Sequence, residues 1–224
     1  MTPTKKPIKT ISKDIVNPVV GDFLADKYKP VNEEFLTFRL GCEARDIPII
    51  LPDCESFILN LLKIKKPKRI LEIGTANGYS ACCFAKSTGA DVVTIEKDPD
   101  MAREARDNIK KLVLTQHVSV ITGDAKTVLD NLDPGFDFVF IDAAKSAYRE
   151  FFDKSVKLCA SGAVIVCDNV LFKGMTADDK LDHNNKHRTN IRNLREFLKY
   201  INNLDYASTS VSAVGDGISM TVLD

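Results

Sequence analysis

Several features that mark other classes of protein are missing from this chain of 224 residues. Lys+Arg and Asp+Glu both number 31, so the balanced charge gives no indication of a nucleic-acid partner. No window approaches the roughly 18 uninterrupted apolar residues of a membrane span. Positions 1–16 also lack the apolar run of a signal peptide. We therefore predict a cytoplasmic protein that has no membrane segment.

Cysteine is present, but not in the spacing of a metal or disulfide framework. The six cysteines are Cys42, Cys54, Cys82, Cys83, Cys159 and Cys167. None forms a Cys-x-x-Cys pair, which argues against structural zinc and against a secreted disulfide scaffold. With 44% hydrophobic and 28% charged residues, the chain has the composition of an ordinary globular domain. We expect buried, reduced thiols.

Short apolar runs follow one another from Arg69 onward. They are RILEIG, DVVTIE, VSVIT, FDFVFID and AVIVCD, and helical segments follow the first four. The runs are apolar throughout, as buried parallel strands are. This alternation predicts an α/β fold in which helices cover both faces of a mostly parallel sheet. Two final runs flank Gly215-Asp216-Gly217 and predict an antiparallel hairpin.

The first 66 residues have a different pattern, in which helical periodicity is broken by prolines. The predicted breaks are at Pro18, Pro30, Pro48 and Pro52. Apolar helix faces are predicted at Phe35, Phe38 and Leu40, and again at Phe57, Ile58, Leu61 and Leu62. We interpret residues 1–66 as an N-terminal helical cap on a Rossmann-like core at 67–224, the two forming a single domain.

Small or acidic residues follow the first three predicted strands. The turn from Glu72 to Ser80 contains Gly74 and Gly78, whose spacing differs from the Gly-x-Gly-x-x-Gly fingerprint of NAD and FAD sites. Glu96 ends the second strand, where an acid accepts hydrogen bonds from ribose hydroxyls. Gly123-Asp124-Ala125 follows the third strand, where a carboxylate could face an adenine amino group. Each acid alone could be a solvated loop residue, but together they fit one adenosyl ligand.

These turns, with Phe-Ile-Asp-Ala-Ala-Lys at 140–145 and Asp-Asn-Val-Leu at 168–171, resemble the class I, cation-dependent O-methyltransferases. Plant caffeoyl-CoA and animal catechol O-methyltransferases are relatives in that family. The resemblance implies a seven-stranded sheet with an antiparallel last strand, and a homodimer. It also implies that S-adenosylmethionine (SAM) is bound by Glu72, Gly74, Ser80, Glu96, Asp124, Ala125, Asp142 and the backbone near Ile50.

Oxygen ligands end the fourth and fifth predicted strands, at Asp142 and at Asp168-Asn169. Neighbouring parallel strands would bring them to one rim, where hard oxygens suit Mg²⁺, with Mn²⁺ or Ca²⁺ as alternatives. Such a cation activates and orients an acceptor hydroxyl. Lys145 is the predicted proton acceptor, because a lysine beside a dication and a sulfonium loses its proton more readily. Catalytic roles are therefore predicted for Lys145 and Asp142. In the alternative interpretation, Asp168-Asn169 only turn the chain, Asp142 caps a helix and Lys145 forms a surface salt bridge.

Basic residues follow the predicted metal motif. They are Lys173, Lys186, Arg188, Arg192 and Arg195, and the three arginines share one helical face. A second basic stretch contains Lys5, Lys6, Lys9 and Lys13. The segments 47–49, 168–174 and 214–217 resemble bacterial tRNA 5-hydroxyuridine methyltransferases most, so a tRNA anticodon loop is the predicted acceptor. Two alternatives stay open, a small phenolic substrate and a non-catalytic SAM- or RNA-binding module.

Overall fold

The computed structural model describes residues 15–224, so the basic stretch at positions 5–13 lies outside the described residues. The helices are α1 Pro18–Ala25, α2 Glu33–Ala44, α3 Pro52–Lys65, α4 Tyr79–Thr88, α5 Pro99–Lys111, α6 Ala125–Val128, α7 Tyr148–Leu158 and α8 Arg188–Ile201. The strands are β1 Arg69–Ile73, β2 Asp91–Glu96, β3 Val118–Thr122, β4 Phe136–Ile141, β5 Cys159–Cys167, β6 Ala207–Ser212 and β7 Ile218–Leu223.

The strands form one seven-stranded sheet in the order β3-β2-β1-β4-β5-β7-β6. Strands β1 to β5 are parallel, and β7 runs antiparallel to both of its neighbours. The predicted Rossmann-like sheet and its antiparallel last strand are therefore confirmed. After β1 the chain adds β2 and β3 on one side of β1, and it then returns to add β4 on the other side. A cleft therefore opens at the carboxyl ends of β1 and β4.

Two separate apolar clusters show that helices cover both faces of the sheet. Successive residues of β1 point to opposite sides, with Ile70 in one cluster and Leu71 in the other. The first cluster takes its side chains from α2 to α5, and the second from α6 to α8. All six cysteines are free thiols, as expected, and only Cys159 among them is not fully buried. Within residues 15–224, no helix is long and apolar enough to cross a membrane.

The helices before the sheet correct two details of the sequence interpretation. Pro18 and Pro52 begin α1 and α3 instead of breaking them, because a proline in the first turn needs no amide donor. The predicted apolar faces are only partly buried. Phe35, Ile58 and Leu62 are fully buried, whereas Leu40 and Phe57 are each 37% exposed.

Candidate active site

The carboxyl ends of β1 to β5 open onto a cavity of about 1230 Å³. We call the wall at 74–76, 79–80, 95–98 and 123–125, at the ends of β1, β2 and β3, the cofactor half. We call the wall at 142–145, 168–169, 173 and 216 the acceptor half. The strand order places these halves side by side, with the segment at 48–51 before α3 lining the same cavity.

Gly74 allows the two halves to touch. Its φ is +103°, and a Cβ at this position would lie 2.0 Å from the carbonyl oxygen of Asp142. Its amide donates to the carbonyl oxygen of Ile95 at 3.0 Å, so the turn is held against β2 as well. Only glycine fits this combination of positive φ and close backbone contact.

The two predicted acids of the cofactor half both line the cavity. Glu96 accepts hydrogen bonds from the amides of Ala76 and Asp98, each at 2.8 Å. Asp124 Oδ1 accepts from the amide of Lys126 at 2.9 Å and caps α6. Carboxylate oxygens accept more than one hydrogen bond, so both acids can fix their loops and still bind a ligand.

Glu72, another predicted cofactor residue, lies behind the cavity wall. It is fully buried, and Thr94 Oγ1 donates to its Oε2 at 2.5 Å. The same Thr94 hydroxyl is 2.6 Å from Thr75 Oγ1, and Thr75 lines the cavity. Burial raises the pKa of Glu72 to about 8. Glu72 therefore reaches the cavity through two threonine hydroxyls.

The three predicted metal ligands come together at the acceptor half. Strands β4 and β5 pair Ile141 with Cys167, so the next residues, Asp142 and Asp168, lie side by side. The amide of Asn169 donates to Asp168 Oδ1 at 2.7 Å, and its backbone has a φ of +55°. Tyr148 donates its hydroxyl to the Asp168 carbonyl oxygen at 2.7 Å, which holds the turn in place.

The charges around this triad fit a bound cation. Burial and the adjacent Asp142 carboxylate raise the pKa of Asp168 well above its usual range. Lys145 Nζ lies 2.7 Å from Asn169 Oδ1 and 3.6 Å from Asp142 Oδ1, so its amino group faces the same oxygens. In residues 15–224, no three His, Cys, Asp or Glu side chains form a metal-binding group, so a cation at this place would need the Asn169 amide beside the two carboxylates. Two carboxylates and an amide suit Mg²⁺ better than zinc.

The basic residues that follow are divided between two places. Lys173 lines the cavity, and its amide donates to Asp216 Oδ1 at 2.5 Å. The three arginines of α8 line a separate depression of about 420 Å³, together with three carboxylates at positions 179, 182 and 196. Arg195 pairs there with Asp179 at 2.8 Å. Lys186 lies on neither wall, so Lys173 alone of the five predicted basic residues lines the cavity.

Several further lining residues were not predicted from the sequence, and four of them show why. Ile95 and Phe151 line the cavity from β2 and α7, and Asp22 and Asp216 line it from α1 and the final hairpin. Phe151 has the periodicity of a core residue and is only 5% exposed, so its sequence pattern could not distinguish cavity from core. The two acids stand in segments whose position depends on the whole fold.

The chain belongs to the O-methyltransferase family, whose model matches residues 44–223. It is 36% identical over 136 residues to a catechol O-methyltransferase of Niastella koreensis, covering 58% of this chain and 62% of that enzyme. It is 36% identical to a catechol O-methyltransferase of Mycobacterium tuberculosis, with 70% and 74% covered. A caffeoyl-CoA O-methyltransferase of Populus kitakamiensis is 30% identical, with 73% of each chain covered.

A solved structure extends this similarity to the cofactor. The O-methyltransferase from Bacillus cereus in complex with SAH superposes with a TM-score of 0.79 and 30% identity, covering 92% of this chain and 97% of that one. The predicted class, a SAM-dependent O-methyltransferase, is thereby confirmed. The homodimer stays a prediction.

Proposed function

We propose that the enzyme methylates one oxygen of a small vicinal diol of the catechol type while Asp142, Asp168 and Asn169 hold Mg²⁺. The charge of the cavity wall carries this proposal. Seven carboxylates and three lysines line the cavity among the described residues. The excess negative charge of this wall repels RNA phosphates. The same charge balances the positive charges of a divalent cation and of the SAM sulfonium, while a diol acceptor is itself neutral. The relatives named for catechol and caffeoyl-CoA support the same acceptor class.

The size of the cavity agrees with a small acceptor. Pockets for one drug-sized ligand measure roughly 300–1,000 Å³, and this cavity measures about 1230 Å³. After a nucleoside cofactor has entered, the remaining space suits one more compact molecule. The segment at 48–51 borders this space and would limit the access of water to it.

The chemistry assigns a separate task to each residue of the acceptor half. Mg²⁺, when bound, lowers the pKa of an acceptor hydroxyl and orients it. Asp142, Asp168 and Asn169 would supply its oxygen ligands, and Lys145 would take the hydroxyl proton. The reaction forms one oxygen–carbon bond and breaks the carbon–sulfur bond, whose electron pair stays on the departing thioether. The cofactor half, at Gly74, Glu96 and Asp124, would hold SAM so that its methyl group faces the acceptor.

The purified enzyme with SAM and Mg²⁺ tests this assignment directly. Products from a catechol are compared with those from a matched monophenol by chromatography and mass spectrometry. We expect methylation of the catechol alone, because only two adjacent oxygens can chelate the ion, and we expect EDTA to abolish it. Equal methylation of the monophenol, or full activity in EDTA, would contradict the metal-chelate mechanism.

One observation favours a second candidate, the wobble 5-hydroxyuridine of tRNA. The rings of Phe172 and His187 are 5.1 Å apart, so the start of α8 touches the residue that precedes Lys173 at the cavity wall. Exposed Arg188 and Arg192 therefore begin beside this wall, where they could contact RNA phosphates. Nucleoside mass spectrometry of tRNA from a deletion strain decides the matter. Loss of 5-methoxyuridine with accumulation of 5-hydroxyuridine would establish the tRNA acceptor, and an unchanged profile would exclude it.

A further inference from the structure

A buried ion pair lies behind the cavity, outside every residue assigned to the reaction. Arg39 of α2 is 1% exposed and Glu55 of α3 is fully buried. Arg39 Nη2 lies 2.5 Å from Glu55 Oε2. Charges removed from water to this extent need several well-placed hydrogen bonds to be tolerated, so their other contacts show what the pair does.

Two of those contacts reach the cavity wall. The same Arg39 Nη2 donates to the carbonyl oxygen of Ile50 at 2.7 Å. Tyr79 donates its hydroxyl to Glu55 Oε2 at 2.8 Å. Ile50 and Tyr79 both line the cavity, Ile50 from the segment before α3 and Tyr79 from the start of α4. The pair therefore holds the wall from behind at two points.

Further contacts fix the plane of the guanidinium, and one of them is an ion pair with Glu43 of the same helix, whose Oε1 lies 3.2 Å from Nη1. The guanidinium donates through Nε to the hydroxyls of Tyr28 and Tyr79 at 3.0 and 3.2 Å, and its central carbon lies 5.1 and 4.9 Å from their ring centres. Tyr28 also donates to Glu55 Oε1 at 2.8 Å. A lysine ammonium lacks the planar fork that makes these contacts together.

We infer that Arg39 is a positioning residue for cofactor binding, which it serves by holding the Ile50 carbonyl and, through Glu55, the Tyr79 hydroxyl. Residues 47–51 belong to no helix or strand, so the bond to Arg39 replaces the regular backbone pairing that would otherwise order Ile50. Without it, the cofactor must order this segment on binding, which weakens affinity and leaves the transfer step unchanged. The inference rests on the SAM site of the proposed function, but not on its metal or acceptor.

Calorimetric titration of the full chain with S-adenosylhomocysteine tests the inference without metal or acceptor. The variants are Arg39→Lys and the double variant Arg39→Met with Glu55→Gln, which removes both charges of the Arg39–Glu55 pair. For both we expect about tenfold weaker binding, as for the ordering of a short segment. With a diol acceptor, KM for SAM should rise by about the same factor, while kcat at saturating SAM stays within about twofold.

Tyr28→Phe is the matched control. It removes the hydrogen bond to Glu55 and the one accepted from Arg39 Nε, but it keeps the bond from Arg39 to Ile50, and Tyr28 is not among the residues that line the cavity. We expect a lower melting temperature with unchanged affinity. The inference is overturned if both Arg39 variants bind like wild type, or if Tyr28→Phe loses affinity in proportion to its lost stability. If Arg39→Lys does not fold, the double variant decides. If the wild-type protein fails to bind S-adenosylhomocysteine, the proposed SAM site itself is wrong.

Discussion

The two halves of the cavity are stabilised in different ways. In the cofactor half, acids at the strand ends bind nearby amides, as Asp124 does with Lys126 and Glu96 does with Asp98. In the acceptor half, the contacts join distant parts of the chain. Cys54 Sγ donates to Asp168 Oδ2 at 3.7 Å across 114 positions, and the Gly215 amide donates to Asp53 Oδ2 at 2.7 Å across 162 positions.

Because of this difference, we expect cofactor binding to tolerate sequence changes elsewhere better than acceptor binding does. Because the acids of the cofactor half bind amides close to them in sequence, cofactor binding depends on few contacts from elsewhere in the chain, chiefly those of Arg39 and of the Asp142 backbone. A half assembled from α3, the loop after β5 and the final hairpin changes when any of those segments changes. We therefore expect substitutions in the acceptor half to alter chemistry and acceptor choice while cofactor affinity stays constant.

The largest expected effect is the loss of a metal ligand. Asp168→Ala should lower turnover about 1000-fold, because several kcal/mol of Lewis-acid stabilisation are lost. S-adenosylhomocysteine affinity should stay within about threefold, since the cofactor half does not contact this side chain. Turnover and calorimetry measure the two quantities, with the exposed Asp205→Ala as control. Equal losses in both would mean that the two halves are not separable.

Lys145→Ala tests the proton acceptor of the acceptor half separately from its metal ligands. We expect kcat to fall about 100-fold, as for removal of a general base, with little change in cofactor affinity. Lys145→Arg should not rescue activity, because a guanidinium keeps its proton. Steady-state rates across a pH series provide the measurement. Unchanged kcat in Lys145→Ala would remove this residue from the mechanism.

Gly74→Ala should impair both halves, because Gly74 belongs to the cofactor half and packs against the Asp142 backbone of the acceptor half. Its added Cβ collides with the Asp142 carbonyl oxygen, so the turn must move. We expect a loss of about 2 kcal/mol in unfolding free energy or more, together with weaker cofactor binding and lower turnover. Gly89→Ala is the control, since it shares a positive φ of +71° but meets nothing within 4 Å. A similar phenotype in both variants would show that backbone strain alone is responsible.

The smallest expected effect concerns Glu72 and pH. Its pKa is about 8 in the folded chain against 4.5 ordinarily, so the folded state binds more protons between these values. Stability from this group is therefore complete below about pH 4.5 and is lost as the pH rises towards 8. Glu72→Gln should flatten the fall in melting temperature of the ligand-free enzyme, and the exposed Glu34→Gln should not. Parallel curves for wild type and Glu72→Gln would contradict the assignment.

The sequence predicted the sheet and the strand-end residues because both depend on short-range patterns. Continuous apolar runs define parallel strands, and the residue after each run must lie at the sheet edge, as Asp142 and Glu96 do. Cofactor binding by Glu72 stays a prediction, since a sequence pattern does not reveal which face of a strand meets the cavity and Glu72 lies behind its wall. Arg39 was not predicted at all, because its partners come from four separate segments.

The contact between Gly74 and Asp142 has a consequence for how such enzymes diversify. Main-chain atoms, and not side chains, join the loop proposed to hold the methyl donor to the strand end proposed to hold the metal. The spacing between the proposed donor and ion sites is thus set by a backbone contact that requires glycine at position 74. Segments around the entrance can accumulate mutations and admit new acceptors, while the geometry of the transfer itself is inherited unchanged.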